Sequence, residues 1–422
     1  MSALITALLL FTVNYQAAPA DSITLKYCYQ QAEDNYPKAE NIELEQQIAD
    51  LNVRIVNTRN YPQLSINGRA SYQSEVTEFG LPGGSGQPAV SKDQYEASLQ
   101  VNQNIFNGGA VGIQKELERM KGEQEIQSAK IELHQIRAQI DQVYFGILLS
   151  KQQQEAVRLF AKDITERIND VRSKVENGVL LKSQQLILEA ELLKAEQDSI
   201  EIASNVKAGY MVLGQLIGET IGEDRKLMLP KPSFEMGMAQ PARPELALFE
   251  SSRNAIEEQK KLAQTKKLPN ISAFGTAGYG RPGFNFLNDD FHDYYMIGLR
   301  VNWNFIDFLN SNEQDELLNI RQRTITQNEA SFSLQLDASL AKISERISVI
   351  EEKIIRDEEI IEIREAIVAE SVLQLENGVI TAREYVAELT NANRARLSLF
   401  TNRIKLIQAQ ADYRTAMGLE IQ

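Results

Sequence analysis

Glu176-Asn177-Gly178-Val179 recurs 200 positions later as Glu376-Asn377-Gly378-Val379, and this recurrence decides the architecture. A glycine after asparagine suits the left-handed residue that closes a helix. Each stretch therefore reads as the end of one helix and the turn into the next. Upstream, residues 110–176 and 310–376 contain no proline. Each could run as one helix of about 67 residues, roughly 100 Å at 1.5 Å per residue. Helices this long need partners along their length. Leu336, Leu340, Ile343, Ile347, Ile350 and Ile354 alternate steps of four and three, and the register resumes at Ile361, Val368, Val372 and Leu375. Ile136, Ile140, Val143 and Ile147 repeat it in the first half, as do Ile164, Ile168, Val171 and Val175. Sustained spacing of this kind is a coiled-coil seam. After the second break Phe400, Ile404, Ile407 and Ala411 give the returning helix its own seam. Two helix hairpins are expected, with tips at Asn177, Gly178, Val179 and at Asn377, Gly378, Val379.

The duplication extends outward from the tips. Pro37 and Pro62 reappear as Pro244 and Pro269, and each second proline opens a similar run: Pro62-Gln63-Leu64-Ser65-Ile66 and Pro269-Asn270-Ile271-Ser272-Ala273. Tyr95, Leu99, Val101, Asn102 and Asn104 match Tyr295, Leu299, Val301, Asn302 and Asn304. Four landmarks in one order are hard to obtain by chance, and internal repeats determine a fold. The expected organisation is a signal peptide at 1–20, a first repeat at 21–229, a linker at 230–243 and a second repeat at 244–422. Each repeat carries a helix, a strand pair (about 61–109 and 268–309) and a long hairpin (about 110–218 and 310–418). Pro230, Pro232, Gly237 and Pro241 mark the linker as irregular.

The strand pairs alternate with a period of two. Leu64, Ile66, Gly68, Ala70 and Tyr72 interleave with Ser65, Asn67, Arg69, Ser71 and Gln73; Tyr95, Ala97, Leu99 and Val101 interleave with Glu96, Ser98, Gln100 and Asn102. Ile297, Leu299, Val301, Trp303 and Phe305 continue the pattern against Gly298, Arg300, Asn302 and Asn304. Such strands show one apolar and one polar face. A sheet packed on helices with one face in water would show the same alternation. The aromatics Tyr61, Tyr72, Phe79, Tyr95, Tyr279, Tyr294, Tyr295 and Phe305 near the strand ends favour membrane girdles instead. The connecting loops, Leu81-Pro82-Gly83-Gly84-Ser85-Gly86 and Arg281-Pro282-Gly283-Phe284-Asn285, are rich in turn residues. Four strands cannot close a barrel, and open edges in lipid leave backbone groups unpaired. Several copies must then share one barrel, which implies a cyclic homo-oligomer.

The composition removes other classes. The net charge is −14, and no Lys/Arg cluster offers a nucleic-acid face. One cysteine, Cys28, cannot form an internal disulfide and reads as a packed helix residue. Of the two histidines, His134 lies in a coiled-coil stretch and lacks a second His at i+4. His292 lies in the acidic run Asp289-Asp290-Phe291-His292-Asp293, where a weak cation site is the lesser reading. No nucleophile elbow, phosphate-cradling loop, metal set or cofactor motif is present, so catalysis is not expected. Leu4 to Val13 with Ala18-Pro19-Ala20 reads as a secretory signal, although no Lys or Arg precedes Lys26.

On these residues the sequence resembles the outer membrane factor family, of which TolC is the type member. The resemblance is carried by the duplicated strand entries, the exit Asn104-Ile105-Phe106-Asn107-Gly108-Gly109 and both Glu-Asn-Gly-Val hairpins. At the second exit Asp307-Phe308 replaces the expected glycine. The resemblance implies an α+β membrane protein: a homotrimer whose twelve strands form an outer-membrane barrel embedded in lipid, continued by a periplasmic α-helical barrel. It implies docking of a periplasmic adaptor and an inner-membrane pump, or of a secretion machine, at the hairpin tips. It also implies an acidic constriction just past the second hairpin glycine. Glu384 occupies the first expected position; the next is Ala387, with Glu388 beside it. The repeat partner of Glu384 is Gln184, so an acidic ring would come from the second half alone. The competing readings are a periplasmic adaptor and a structural coiled coil, and neither explains duplicated amphipathic strand pairs.

Overall fold

The computed structural model describes residues 22–76, 91–231, 240–285, 288–306 and 310–419. The expected signal peptide, Phe79, the loop Leu81–Gly86, residues 232–239 of the expected linker and the Asp307-Phe308 exit lie outside the described residues. The chain forms two units: residues 1–39, 132–243 and 335–422 in one, and 40–131 with 244–334 in the other.

The second unit holds a four-stranded antiparallel sheet in the order β2 (Gln63–Tyr72), β3 (Asp93–Phe106), β5 (Asn270–Arg281), β6 (His292–Asn302). Pro62 and Pro269 each stand immediately before a strand. Cross-strand partners share a face, so the register fixes both surfaces. Leu64 faces Val101, Ile66 faces Leu99, Leu99 faces Ala277, and Ala277 faces Tyr295. One surface is thus a continuous apolar band, and it is bare: Ile66 is 82% exposed and Ile297 80%. On the other surface Asn67 faces Ser98 and Arg69 faces Glu96, with an Arg69–Glu96 ion pair at 3.2 Å. The Tyr294 hydroxyl donates to Glu96, and its ring covers Gly278, where a Cβ would meet the phenol at 2.4 Å. Tyr294 therefore belongs to the polar surface and not to the girdle expected of it. Tyr95 and Tyr279 do lie on the apolar surface, stacked against Phe291 at 6.2 and 5.7 Å.

Trp303 and Phe305 fall beyond β6, which ends at Asn302. The Trp303 indole donates to the Lys267 carbonyl at 3.1 Å, and the Asn304 side chain accepts from Ile306 N–H at 3.2 Å, turning the chain out of the sheet. At the first exit Gly108 and Gly109 take φ of +64° and +83°. Two equivalent helix pairs complete the unit. α2 (Glu40–Asn57) lies so close to the start of α3 (Ala110–Glu176) that a Cβ on Gly122 would sit 2.4 Å from that of Ala49. α5 (Pro244–Thr265) meets the start of α6 (Ser311–Glu376) through Phe249 and Phe332, 6.0 Å apart, and through Lys260 and Gln322 at 2.7 Å.

The first unit is helical. α4 (Lys182–Ile217) returns along α3, and α7 (Ala382–Met417) returns along α6. The expected seams are buried: Ile140 and Ile164 are fully covered, as nearly are Ile147, Ile347 and Leu375. Two features were not expected. The first helix is broken after Tyr36 into α1 (Leu25–Asn35) and α2, and β1 (Ser22–Ile23) pairs in parallel with β4 (Lys226–Leu227). The Tyr144 hydroxyl lies 2.8 Å from the Ile23 carbonyl and 2.6 Å from that of Met228, fixing this short pairing over a core of α1, α3 and α4. Cys28 is fully buried there, and burial pushes its thiol up to about 12, so it behaves as a small packed group. Among the described residues no helix is long and apolar enough to cross a membrane.

Candidate functional site

Both hairpin tips end in the same hydrogen-bonded closure. Val179 N–H donates to Lys174 O at 2.8 Å and Gly178 N–H to Val175 O at 3.0 Å; Val379 and Gly378 do the same to Gln374 O and Leu375 O, at 2.8 and 3.1 Å. This is a Schellman closure, which requires a residue at positive φ; Gly178 has φ +73° and Gly378 +69°. Asn177 and Asn377 add side-chain bonds to Ser173 O and Leu373 O, both at 2.8 Å. Val179 and Val379 remain 66% and 71% exposed. Each tip thus presents an apolar side chain on a rigid turn.

Behind the tips one core draws on all four helices: Phe160, Ile164 and Val171 of α3, Leu188 of α4, Leu375 of α6, and Tyr385 and Leu389 of α7. Burial pushes the Tyr385 hydroxyl up to about 12. Polar bonds that the sequence did not announce tie the hairpins together around this core. Arg167 reaches Glu376 at 3.0 Å and Asp170 at 2.8 Å, and Lys174 donates to the Glu376 carbonyl at 2.7 Å.

Glu384 is engaged locally. Its carboxylate accepts the Thr381 N–H at 2.7 Å and the Thr381 hydroxyl at 2.9 Å, while the Glu384 N–H donates to that hydroxyl at 3.3 Å. This is a capping box. The Thr381 N–H first, and its hydroxyl second, hold the carboxyl below the usual range. Glu388, one turn on, pairs with Arg364 of α6 at 3.0 Å. Gln184 does not cap its own helix. Its side-chain oxygen accepts the N–H of Ala382, at the start of α7, at 2.5 Å. The sequence signal for this role was only that Gln184 stands where the other repeat has Glu384.

A groove of about 540 Å³ opens between α3 and α4, lined by Lys151, Arg158, Ala161, Ala195, Glu196 and Ser199. In the other unit the acidic run around His292 is engaged with its neighbours: Asp289 accepts from the Ser91 N–H and hydroxyl at 2.9 and 2.5 Å and lies 3.9 Å from Arg281, and the His292 ring nitrogen Nδ1 lies 3.0 Å from the Asp290 carbonyl. Among the described residues no group of three or more metal-ligating side chains occurs.

Residues 28–219 match the family described as Outer membrane efflux protein. No curated protein matches the sequence. Solved structures with a similar fold include the outer-membrane channel OprN, at 12% identity and a TM-score of 0.72, covering 94% of this chain and 90% of that one. The outer membrane protein VceC of Vibrio cholerae is 14% identical, with a TM-score of 0.69 over 94% of this chain and 97% of its own. The MtrE outer membrane channel of Neisseria gonorrhoeae, solved in its open state, is 16% identical, with a TM-score of 0.70 over 94% and 89%. The fold along nearly the whole chain is therefore that of the TolC-like outer-membrane channels: a duplicated unit of paired strands and long helix hairpins. The match to the Outer membrane efflux protein family, over residues 28–219, lies inside the span that shares this fold.

Proposed function

We propose that the protein is the outer-membrane duct of an efflux or type I secretion system, a passive conduit from periplasm to exterior. The observation that carries this reading is the four-stranded sheet: one surface is continuously apolar and bare, and among the described residues its two edge strands, β2 and β6, are each paired on one side only. In lipid both edges must be paired. Three copies joined edge to edge give twelve strands, with the apolar band toward lipid and the Arg69–Glu96–Tyr294 surface toward the lumen. The long helices of the three copies then form the periplasmic wall, and 21–229 and 244–422 are the two repeats.

The tips at Asn177–Val179 and Asn377–Val379 are the docking points for a periplasmic adaptor, with Val179 and Val379 as apolar anchors. Energy comes from an inner-membrane pump, because the chain carries no nucleotide motif. The resting state is closed by the bonds linking the hairpins, and adaptor binding favours the state in which they are broken. Glu388 and Glu384 line the constriction in this reading, each held in place by its own partner, Arg364 and Thr381.

Detergent-solubilised protein, crosslinked and weighed, tests the assembly. A trimer supports the duct; a soluble monomer returns the adaptor or filament reading.

A further inference from the structure

Asp141 is the most deeply buried acid of the helical unit, 1% exposed, and it sits where three helices meet. It projects from α3. The Tyr29 hydroxyl, from α1, donates to one carboxyl oxygen, and the Thr415 hydroxyl, from the last turn of α7, lies 3.1 Å from the other. Both hydroxyls are themselves buried. The charged groups facing this point are committed elsewhere. Arg137, one turn earlier on α3, pairs with Glu33 of α1 and lies 5.6 Å over the Tyr29 ring. Asp412 of α7 is held by Arg346 of α6 at 2.5 Å. Cys28, on α1, is a buried thiol that stays neutral. No described ion pair includes Asp141.

A carboxylate here would be desolvated, with two hydroxyl dipoles and the more distant Arg137 to compensate it and Asp412 opposing it, which is costly. The neutral acid suits the same cage: its carbonyl oxygen accepts from Tyr29, and its own O–H donates to the Thr415 hydroxyl oxygen. The carboxyl lets α1 and the end of α7 share one partner on α3, so its charge state sets how firmly both are held.

We propose that Asp141 is a proton-operated lock: protonated, it fastens α1 and the last turns of α7 to α3, and its ionisation loosens both. Burial, the largest influence, raises its carboxyl from the ordinary aspartate value to about 7, against the lowering effect of the two hydroxyls. The sign follows from linkage. A group whose folded pKa is raised contributes stability that is complete below the ordinary carboxylate range and is lost as pH rises through about 7. The junction is therefore tightest in acid and loosens as pH rises to about 7, with no further change beyond it. Nothing in this inference depends on conduction, so it stands or falls separately from the duct reading.

The test uses the full chain in detergent. Infrared titration should show a protonated-carboxyl band that disappears near pH 7 and is missing from Asp141→Asn. Amide exchange, corrected for the intrinsic rate at each pH, should quicken across residues 25–35 and 411–417 as pH rises, approaching tenfold per unit at the steepest. Asp141→Asn should remove that dependence. If the variant does not fold, the wild-type band and exchange profile decide. A carboxyl band that titrates only in the ordinary acidic range, or exchange at both segments with no pH dependence beyond the intrinsic rate, overturns the proposal.

Discussion

The side-chain oxygen of Gln184 accepts the backbone N–H of Ala382 at 2.5 Å, so one repeat caps the helix of the other. The position two hundred residues later, Glu384, caps its own helix through Thr381. A duplicated site has diverged into two different capping roles at the start of one helix, α7, whose first orphan donors they share. We expect Gln184→Ala to cost about 1 kcal/mol, in the usual range for a lost cap, and to quicken exchange at residues 382–385. Thr381→Ala should cost a similar amount. Equal exchange in Gln184→Ala and the parent protein would show that the bond does not cap α7 in solution.

Arg167 is the hub between the hairpins, paired with Glu376 and Asp170 and only 19% exposed. Partly exposed pairs contribute roughly 0–1 kcal/mol, so Arg167→Ala should leave thermal stability nearly unchanged. If the pair helps to hold the resting state shut, single-channel conductance should still rise. Conductance equal to that of the parent protein would remove Arg167 from the closure.

Gly178 and Gly378 adopt positive φ; a Cβ on the first would meet nothing within 4 Å and one on the second only Leu180 at 4.0 Å, an ordinary contact, so only backbone conformation opposes a side chain there. Alanine at either position should cost on the order of 1 kcal/mol through left-handed strain. Calorimetric unfolding of the two variants checks this, and a neutral result at either site would show that its closure rearranges freely.

The two faces of the sheet should respond differently to charge. Ile297→Lys places a cation on the apolar surface, where midplane charges in barrels cost about 2–4 kcal/mol. Asn67→Lys, on the opposite surface, should be tolerated. Yield of the detergent-stable oligomer is the readout, and equal yields would mean that the apolar face does not meet lipid.

The Glu384 cap should also respond to pH, with the opposite sign to Asp141. Its carboxyl is held below the ordinary range by Thr381, so the stabilisation is present above that range and is lost as pH falls through the folded value. Exchange at residues 382–385 should therefore quicken in strong acid, and a Glu384→Gln protein should lack that change.

Much of the fold was legible in the sequence because periodicity and duplication are local signals. The first long helix spans Ala110–Glu176, the range its composition suggested, and the second runs from Ser311 to Glu376. Alternation in the strands placed Leu64, Ile66, Leu99 and Ile297 on one surface. Alternation does not reveal where a strand stops: the period of two runs on through Trp303 and Phe305, whereas Asn304 bends the chain away. Proximity to a strand end says nothing about face, and Tyr294, near such an end, lies on the polar surface. The ties around the tips were the least legible. Arg167 and Glu376 are 209 positions apart, and in a chain with 58 acidic and 44 basic residues no single pair announces itself. Asp141 was hidden in the same way. An aspartate amid a helical seam looks solvated until Tyr29 and Thr415, far away in sequence, are brought against it.

If three copies of this chain form one pore, planar-bilayer recording of the purified, crosslinked oligomer will detect it. A trimer should give a small, cation-selective conductance that rises when Arg167 is replaced by alanine. Protein that never inserts, or an inserted species that passes no current with or without Arg167, would contradict it.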